Sequence, residues 1–348
     1  MKKYDLAQLY KAALNAYQAQ RKFALFRKPG GDILQLYIHD PDQTSQKDHF
    51  LIGSFNHDHT IRICPSKILY AKTPLSSPPS SEEKTLKHYW QESPSTEYIR
   101  MINTVLKQLN TGTLKKVVLS RMKKIPFKRL ALKTGFQNLL TAHPEGLVNI
   151  WYDPTHSLWM GATPELLLRI KNKKLQSEAL AGTLSADAPA FTWTFKELEE
   201  HHMVLRHIVN ILQNYSGKMS IGKTGTVTTG RIKHLKTKIG FSFSEVPDPH
   251  TLLHHLHPTP AVCGLPQKAA LNFILDHEGY DRTFYAGYIG PINKDITELY
   301  INLRCAKIHQ GWIVLYVGSG ITAQSEPEKE WLETEVKAQN TLSQLYFR

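Results

Sequence analysis

Only three cysteines, Cys64, Cys263 and Cys305, occur in the 348 residues. They are odd in number and widely spaced, so they build neither a disulfide framework nor a zinc-finger spacing, and a reducing cytoplasm is the expected home. No stretch approaches the ~20 apolar residues of a membrane span. The opening stretch, MKKYDLAQLYKAALNAY, lacks an apolar run and a small-residue cleavage site and does not read as a secretory signal. It spells an amphipathic helix with Leu6, Leu9, Ala13 and Tyr17 on one side. GxGxxG and GxxxxGKS/T are both missing, which removes positive evidence for the common nucleotide-binding folds. No repeat of 20 to 50 residues is present, which argues against solenoids and propellers.

What is there is ordinary in bulk: 41% apolar and 21% charged residues, on a length suited to two domains or one large one. The charge is less ordinary, 43 lysines and arginines against 30 acidic residues, a net +13. Basic clusters stand at 121–129 (RMKKIPFKR) and 171–174 (KNKK). Without an RNA-binding signature, basic-region heptads or a Cys/His finger, this excess suits a small anionic substrate as well as nucleic acid. Neither nucleic acid nor a membrane is expected as a partner.

Residues 1 to about 70 mix a helix with short alternating segments, and TPLSSPPSSEEK at 73–84 reads as a Pro/Ser-rich loop. Strands are predicted at 116–122, 147–152, 157–161, 166–170, 225–235, 283–290, 297–308 and 311–320. Helices are predicted at about 94–110 and at 133–142, 190–214, 249–255, 266–277 and 327–345. Runs of strands with helices grouped between them favour α+β over a doubly wound sheet.

Two acidic segments carry the chemistry. In SEPEKEWLETEVKAQN, residues 325–340, Glu326, Glu330, Glu333 and Lys337 recur at spacings of four, three and four, one stripe of a helix. Glu328 and Glu335 lie on the opposite side, and Trp331, Leu342, Leu332 and Val336 flank the stripe. A solvated charged face is the plainer reading. An inward stripe needs a cation, and oxygen ligands suit a hard one such as Mg²⁺. The second segment, KELEEHHMVLRHIVNIL at 196–212, turns from charged to apolar, so its C-terminal half is expected to be buried. It carries Glu200 inward with Val204, His207 and Ile211; alone, Glu200 reads as a carboxylate at a helix start.

Lys116 opens an apolar strand and points the same way as Val118 and Ser120, where snorkelling is the usual outcome. Glu165 stands between a proline turn and an apolar strand. Gly182, Gly318 and Gly320 are expected in tight turns whose amides can hold a carboxylate. His234 is expected to hydrogen-bond within a sheet.

Ten segments occur in order: KVVLSR, GATPELLL, EALAGTL, EEHHMVL, HLKT, HPTPAVCGLPQKAA, FYAGYIG, INLRCA, GSGI and EPEKEWLETEVK. This series resembles the chorismate-utilising enzymes, the anthranilate synthase component I-like family that includes isochorismate and salicylate synthases. The resemblance covers roughly residues 113–345. It implies one large α+β domain, two stacked mainly antiparallel sheets flanked by helices, with the site in a deep cleft. Residues 1–95 would be the variable N-terminal part of the same fold and 96–348 the chorismate-binding catalytic region. A monomer or weak dimer is expected.

The resemblance also implies a site. Glu200 and Glu333, with Glu330 close by, match residues that bind Mg²⁺, which holds the ring carboxylate of chorismate. Lys337 would offset charge beside the substrate. Arg304 and Tyr285 match residues that hold the enolpyruvyl carboxylate, aided by amides near Gly318 and Gly320. A planar guanidinium suits that bidentate task. His234 matches a histidine near the ring carboxylate, and Ala181, Gly182 and Thr183 would line the ring.

Lys116 matches the lysine that acts as base toward water, where the anthranilate enzymes carry a non-basic residue and use ammonia. Ala181 stands where aminodeoxychorismate synthases tend to have a nucleophilic lysine, so two positions disfavour amination. The implied reaction adds water at ring C2 and expels the C4 hydroxyl as Glu165 protonates it. Lys116 would then have to be neutral, well below its reference of about 10.4, and Glu165 raised, as a dry pocket would arrange. Salicylate synthase shares Lys116 and Glu165 and then eliminates pyruvate; HPTPAVCG, with Ala261 beside the ring, is more similar to the enzymes that stop at isochorismate. The expected activity is therefore that of an isochorismate synthase, an isomerase feeding menaquinone or siderophore biosynthesis. Salicylate synthase is the alternative, and nucleic-acid binding a remote one.

Overall fold

The computed structural model describes residues 1–43, 48–73, 95–185, 193–229, 232–343 and 345. Alternation along the strands sets the architecture. In the strand Phe23–Arg27, Phe23 and Leu25 enter one apolar cluster while Ala24 and Phe26 enter another. The strand Leu147–Asp153 splits the same way, with Val148, Ile150 and Tyr152 on one side and Leu147 and Trp151 on the other. A strand apolar on both faces must be covered on both.

These strands belong to a ten-stranded sheet whose members begin, in spatial order, at residues 2, 69, 33, 23, 147, 157, 305, 312, 116 and 264. A nine-stranded sheet follows the order 217, 232, 174, 166, 296, 288, 49 and 60, with Gly225–Thr229 paired to Ile232–Phe243. The short strand Lys2–Lys3 runs parallel to Leu69–Lys72; the other pairings among the described residues are antiparallel.

One apolar cluster joins the two sheets through Phe26, Phe50, Trp151, Trp159 and Leu168. The other ties the ten-stranded sheet to the helices Leu6–Gln18, Leu132–Ala142 and Pro327–Leu342 through Leu9, Phe136, Leu139 and Leu342. The α+β architecture of two stacked, mainly antiparallel sheets is the one expected from the sequence. Strands from the first 72 residues enter both sheets, so the N-terminal part is built into this fold.

Twice in the region that matters the chain changes sheets. It leaves the strand Ser157–Thr163 and enters Leu166–Lys171 through Pro164–Glu165. It leaves Ile296–Ile301 and enters Cys305–His309 through Asn302–Arg304. The two crossings are stitched together: Ile301 N–H donates to the Glu165 carbonyl at 3.0 Å, and Ala162 N–H to the Arg304 carbonyl at 3.2 Å. The second crossing explains why 297–308 is not one strand. Arg304 has φ +50°, a left-handed conformation that a ladder does not accept.

Other expectations shift for physical reasons. The stretch 283–290 is extended only from Tyr288, because Thr283 and Ala286 have positive φ. The stretch 225–235 is two paired strands rather than one. Lys174–Ser185 forms a strand that the apolar pattern hides, since buried Ser177 interrupts the alternation and satisfies its hydroxyl on the Leu167 carbonyl at 2.6 Å. Gly217–Ile221 is likewise a strand that the apolar pattern hides, having little burial to mark it. Tyr17 faces outward and Ala16 takes its inward place. From residue 74 on, the Pro/Ser-rich stretch lies outside the described residues, as do 190–192 of the predicted 190–214 helix and 344 and 346–348 at the C-terminus.

Candidate active site

A cleft opens where the strand Trp312–Ile321, the bulged strand Lys174–Ser185 and the helices Phe195–Leu212 and Pro327–Leu342 converge. Its wall includes Glu165, Ala181, Gly182, Thr183, Glu200, His234, Ala261, Tyr285, Arg304, Gly318, Gly320 and Lys337. Residues picked from distant segments of the sequence therefore meet at one place. Lys116, Glu330 and Glu333 stand off from that wall.

Lys116 does not snorkel. It is fully buried, and its Nζ lies 2.9 Å from Glu200 Oε1 on the neighbouring helix. Gly320 makes this possible: a Cβ there would sit 2.5 Å from Glu200 Oε1 and 3.2 Å from Lys116 Cε. Burial pushes the Glu200 carboxyl up, but the charge and hydrogen bond of Lys116 outweigh it and hold the group below its usual range. Gly318 and Gly320 lie inside the strand Trp312–Ile321 rather than in turns. They are needed for close approach, Gly318 to the Leu119 carbonyl and Gly320 to Glu200. Gly182 is not in a turn either. It forms a bulge in its strand, with φ +74°, and a Cβ would meet the Glu197 carbonyl at 3.2 Å, so the bulge lets the helix close on the sheet.

Glu165 and Arg304 stand at the two sheet crossings. Glu165 is buried, and that burial, against the opposing charge of Lys116, pushes its carboxyl up to about 8. Arg304 is lowered by burial to about 10, with Glu165 pulling the other way, and so stays cationic. His234 Nδ1 contacts the Gly182 carbonyl at 2.9 Å, which makes Nδ1 the donor and leaves Nε2 to accept from Arg304 at 3.2 Å. Burial, then Arg304 and Lys337, lower this histidine to about 3, so the imidazole is neutral. Tyr285 closes a column of stacked rings running through Tyr316, Trp159 and Trp151, with centroids 5.3, 5.5 and 5.6 Å apart. Such stacking fixes Tyr285 at the cleft wall from the core outward.

The acidic stripe of the last helix points inward from Glu330 to Lys337. Glu330 is buried, and its Oε1 lies 2.5 Å from Lys196 Nζ. Glu333 Oε1 lies 2.7 Å from Lys337 Nζ, which also donates to the Gly318 carbonyl at 2.9 Å. Burial first, and then the Glu333 charge, raise the Glu330 carboxyl. On the opposite face Glu335 is buried against Arg121 and Lys123 of the strand Lys116–Pro126, while Glu328 and Leu332 are exposed.

Among the described residues no three Asp, Glu, His or Cys side chains stand close enough to enclose a metal ion as they are. The donor chemistry nonetheless suits a hard cation. Glu200, Glu330 and Glu333 offer oxygen only, and Glu330 Oε2 is buried without a hydrogen-bond partner. What occupies the carboxylates is lysine. Sequence reasoning overlooked Lys196, although it lies one helical turn before Glu200. It also overlooked Asn340 and Thr341, which line the cleft one turn beyond Lys337.

A family model of chorismate binding enzymes matches residues 55–346, starting well before the first of the ten segments. The isochorismate synthase MenF of Escherichia coli K12 is 30% identical over 267 residues, 73% of this chain and 61% of that protein. The vibriobactin-specific isochorismate synthase of Vibrio cholerae is 31% identical over 268 residues, 72% of this chain and 67% of that protein. The chain thus spans less than two thirds of the Escherichia coli relative. Among solved structures, DhbC of Bacillus anthracis shares the fold with a TM-score of 0.80 at 23% identity, over 97% of this chain and 99% of that one.

Proposed function

Because the chain belongs to the family of chorismate-binding enzymes, we propose that it converts chorismate to isochorismate. The observation that carries this reading is Glu165, a buried carboxyl in the cleft with its pKa at about 8. A carboxylic acid still protonated near neutral pH is the group needed to release a hydroxyl as water. Arg304 and Tyr285 hold the enolpyruvyl carboxylate. Neutral His234 takes one guanidinium N–H and so orients the rest of the fork. Ala181, Gly182 and Thr183 pack against the ring, and Ala261 leaves space beside it.

Lys116 is the base, acting in its neutral form rather than as the ammonium that pairs with Glu200: its amine takes a proton from the water that attacks ring C2, and Glu165 gives one to the hydroxyl departing from C4. Glu200, Glu330 and Glu333 would hold Mg²⁺, directly or through water, with Lys337 balancing the charge beside it. Bound Mg²⁺ would supply the positive charge that fixes the ring carboxylate and steadies it as electrons shift. The relatives support a water-using reaction over an amination, as does a lysine at position 116. The product would serve menaquinone or siderophore biosynthesis.

The test is to incubate the purified protein with chorismate and Mg²⁺, separate the products, and repeat with EDTA. Isochorismate in a near-equilibrium mixture, lost with EDTA, is the expected result. Salicylate with pyruvate would move the protein to the lyase branch. Anthranilate formed only with added ammonia would remove Lys116 from the role of base.

A further inference from the structure

Each carboxylate of the acidic site is paired with its own lysine: Glu200 with Lys116, Glu330 with Lys196 and Glu333 with Lys337. The reaction above uses Lys116 and Lys337 and leaves Lys196 without a task. Its position is nevertheless specific. One turn before Glu200 on the same helix, it reaches across to the last helix and places its ammonium 2.5 Å from Glu330 Oε1. The charges of Glu333 and Glu200 act on it as well as that of Glu330. Glu330 itself is buried with Oε2 unpartnered. The Lys196 side chain is 24% exposed, whereas that of Glu330 is 2% exposed, so the lysine has a way out to solvent and the carboxylate does not.

We propose that Lys196 is a tethered counter-cation of the acidic site: it neutralises Glu330 while the site is empty and swings outward when a divalent cation enters, so that loading exchanges an ammonium for a metal ion. The inference rests on the Mg²⁺ reading above. Its physical basis is charge balance. Three inward carboxylates with too few cations would be costly to bury, and an ammonium kept beside a divalent ion would repel it. Exchange satisfies both states. It also accounts for the lack of a preformed metal cage among the described residues.

The test compares the full chain with its K196M and K329M variants by calorimetric titration with MgCl₂, without substrate, and by thermal unfolding with and without Mg²⁺. K329M removes the same charge from an exposed pair with Glu326 on the last helix. K196M should bind Mg²⁺ roughly tenfold more tightly, about 1.4 kcal/mol. Its ion-free form should melt below the wild type, and saturating Mg²⁺ should close that gap; K329M should match the wild type. Unchanged or weaker binding by K196M would overturn the exchange, as would equal tightening in K329M, which would reduce the effect to net charge. A wild type that bound no Mg²⁺ would remove the metal reading and this inference together, whereas wild-type binding with K196M unchanged would remove the exchange alone. Crystals of the wild type grown with Mg²⁺ give a check that does not depend on a variant folding: Lys196 should lie beyond hydrogen-bond reach of Glu330, and an intact pair beside a bound ion would end the proposal.

Discussion

Replacing Glu165 with glutamine separates two consequences of one buried carboxyl. Glutamine keeps the size and neutrality of the protonated acid but has no proton to give. With a carboxyl at about 8, roughly nine-tenths of wild-type molecules carry the proton at pH 7 and about one-tenth at pH 9. Wild-type kcat should therefore fall about tenfold per pH unit above 8, and E165Q should lose a factor of about 10²–10⁴ at pH 7 while still binding chorismate. The substitution should have the opposite effect on stability at high pH. The native state holds this proton more tightly than the unfolded chain, so the stabilisation is full below the ordinary carboxyl value of 4.5 and gone above about 8. Between pH 5.5 and 8.5 the wild type should lose about 3 kcal/mol that E165Q keeps. Urea unfolding of both proteins at pH 5.5, 7 and 8.5, beside product chromatography over the same range, measures both effects. Parallel stability curves together with a flat alkaline rate profile would show that burial does not hold Glu165 in its acid form, and the proposed proton donor would be wrong.

Two further substitutions probe the cleft. R304K keeps the charge but gives up the planar fork that meets His234 and is proposed to hold the substrate carboxylate, so KM for chorismate should rise tenfold to about 100-fold with the melting temperature little changed. Steady-state kinetics decides it, and an unchanged KM would take Arg304 off the substrate. G320A inserts a methyl 2.5 Å from Glu200 Oε1, so it should push Glu200 away from Lys116 and cut kcat at least tenfold. Circular dichroism should show an intact fold, because a backbone without positive φ accepts alanine there.

The sequence was most informative where one residue type had few structural uses. The 3.6-residue spacing of Glu330, Glu333 and Lys337 gave one helical stripe, although spacing alone favours a solvated face, and the same periodicity located Glu200 on its helix. Apolar runs of strand length such as Leu147–Asp153 marked the sheets. What stayed hidden depended on partners far away in the chain. Ser177 reads as a break in a strand until the Leu167 carbonyl appears beside it. Gly318 and Gly320 read as turns because nothing local says that a carboxylate or another backbone must pass within contact. Glu335 reads as a solvated residue because Arg121 and Lys123 lie more than 200 positions away. Lys196 was missed for the converse reason: a lysine among glutamates on a helix start looks like surface.

The paired crossings between the sheets bear on which changes this molecule can absorb. Glu165 and Arg304 occupy neighbouring seams whose backbones hydrogen-bond to each other, so the acid and the guanidinium share one frame of reference. A single-residue insertion in Ser157–Thr163 or Ile296–Ile301 would slide one seam past the other and misalign both groups, even with every side chain retained. An insertion in the edge strand Thr60–Ile63, far from either seam in the sheet order, would leave that alignment alone. Length is thus as strict a requirement as chemistry along these two strands, and much less strict along the sheet margin.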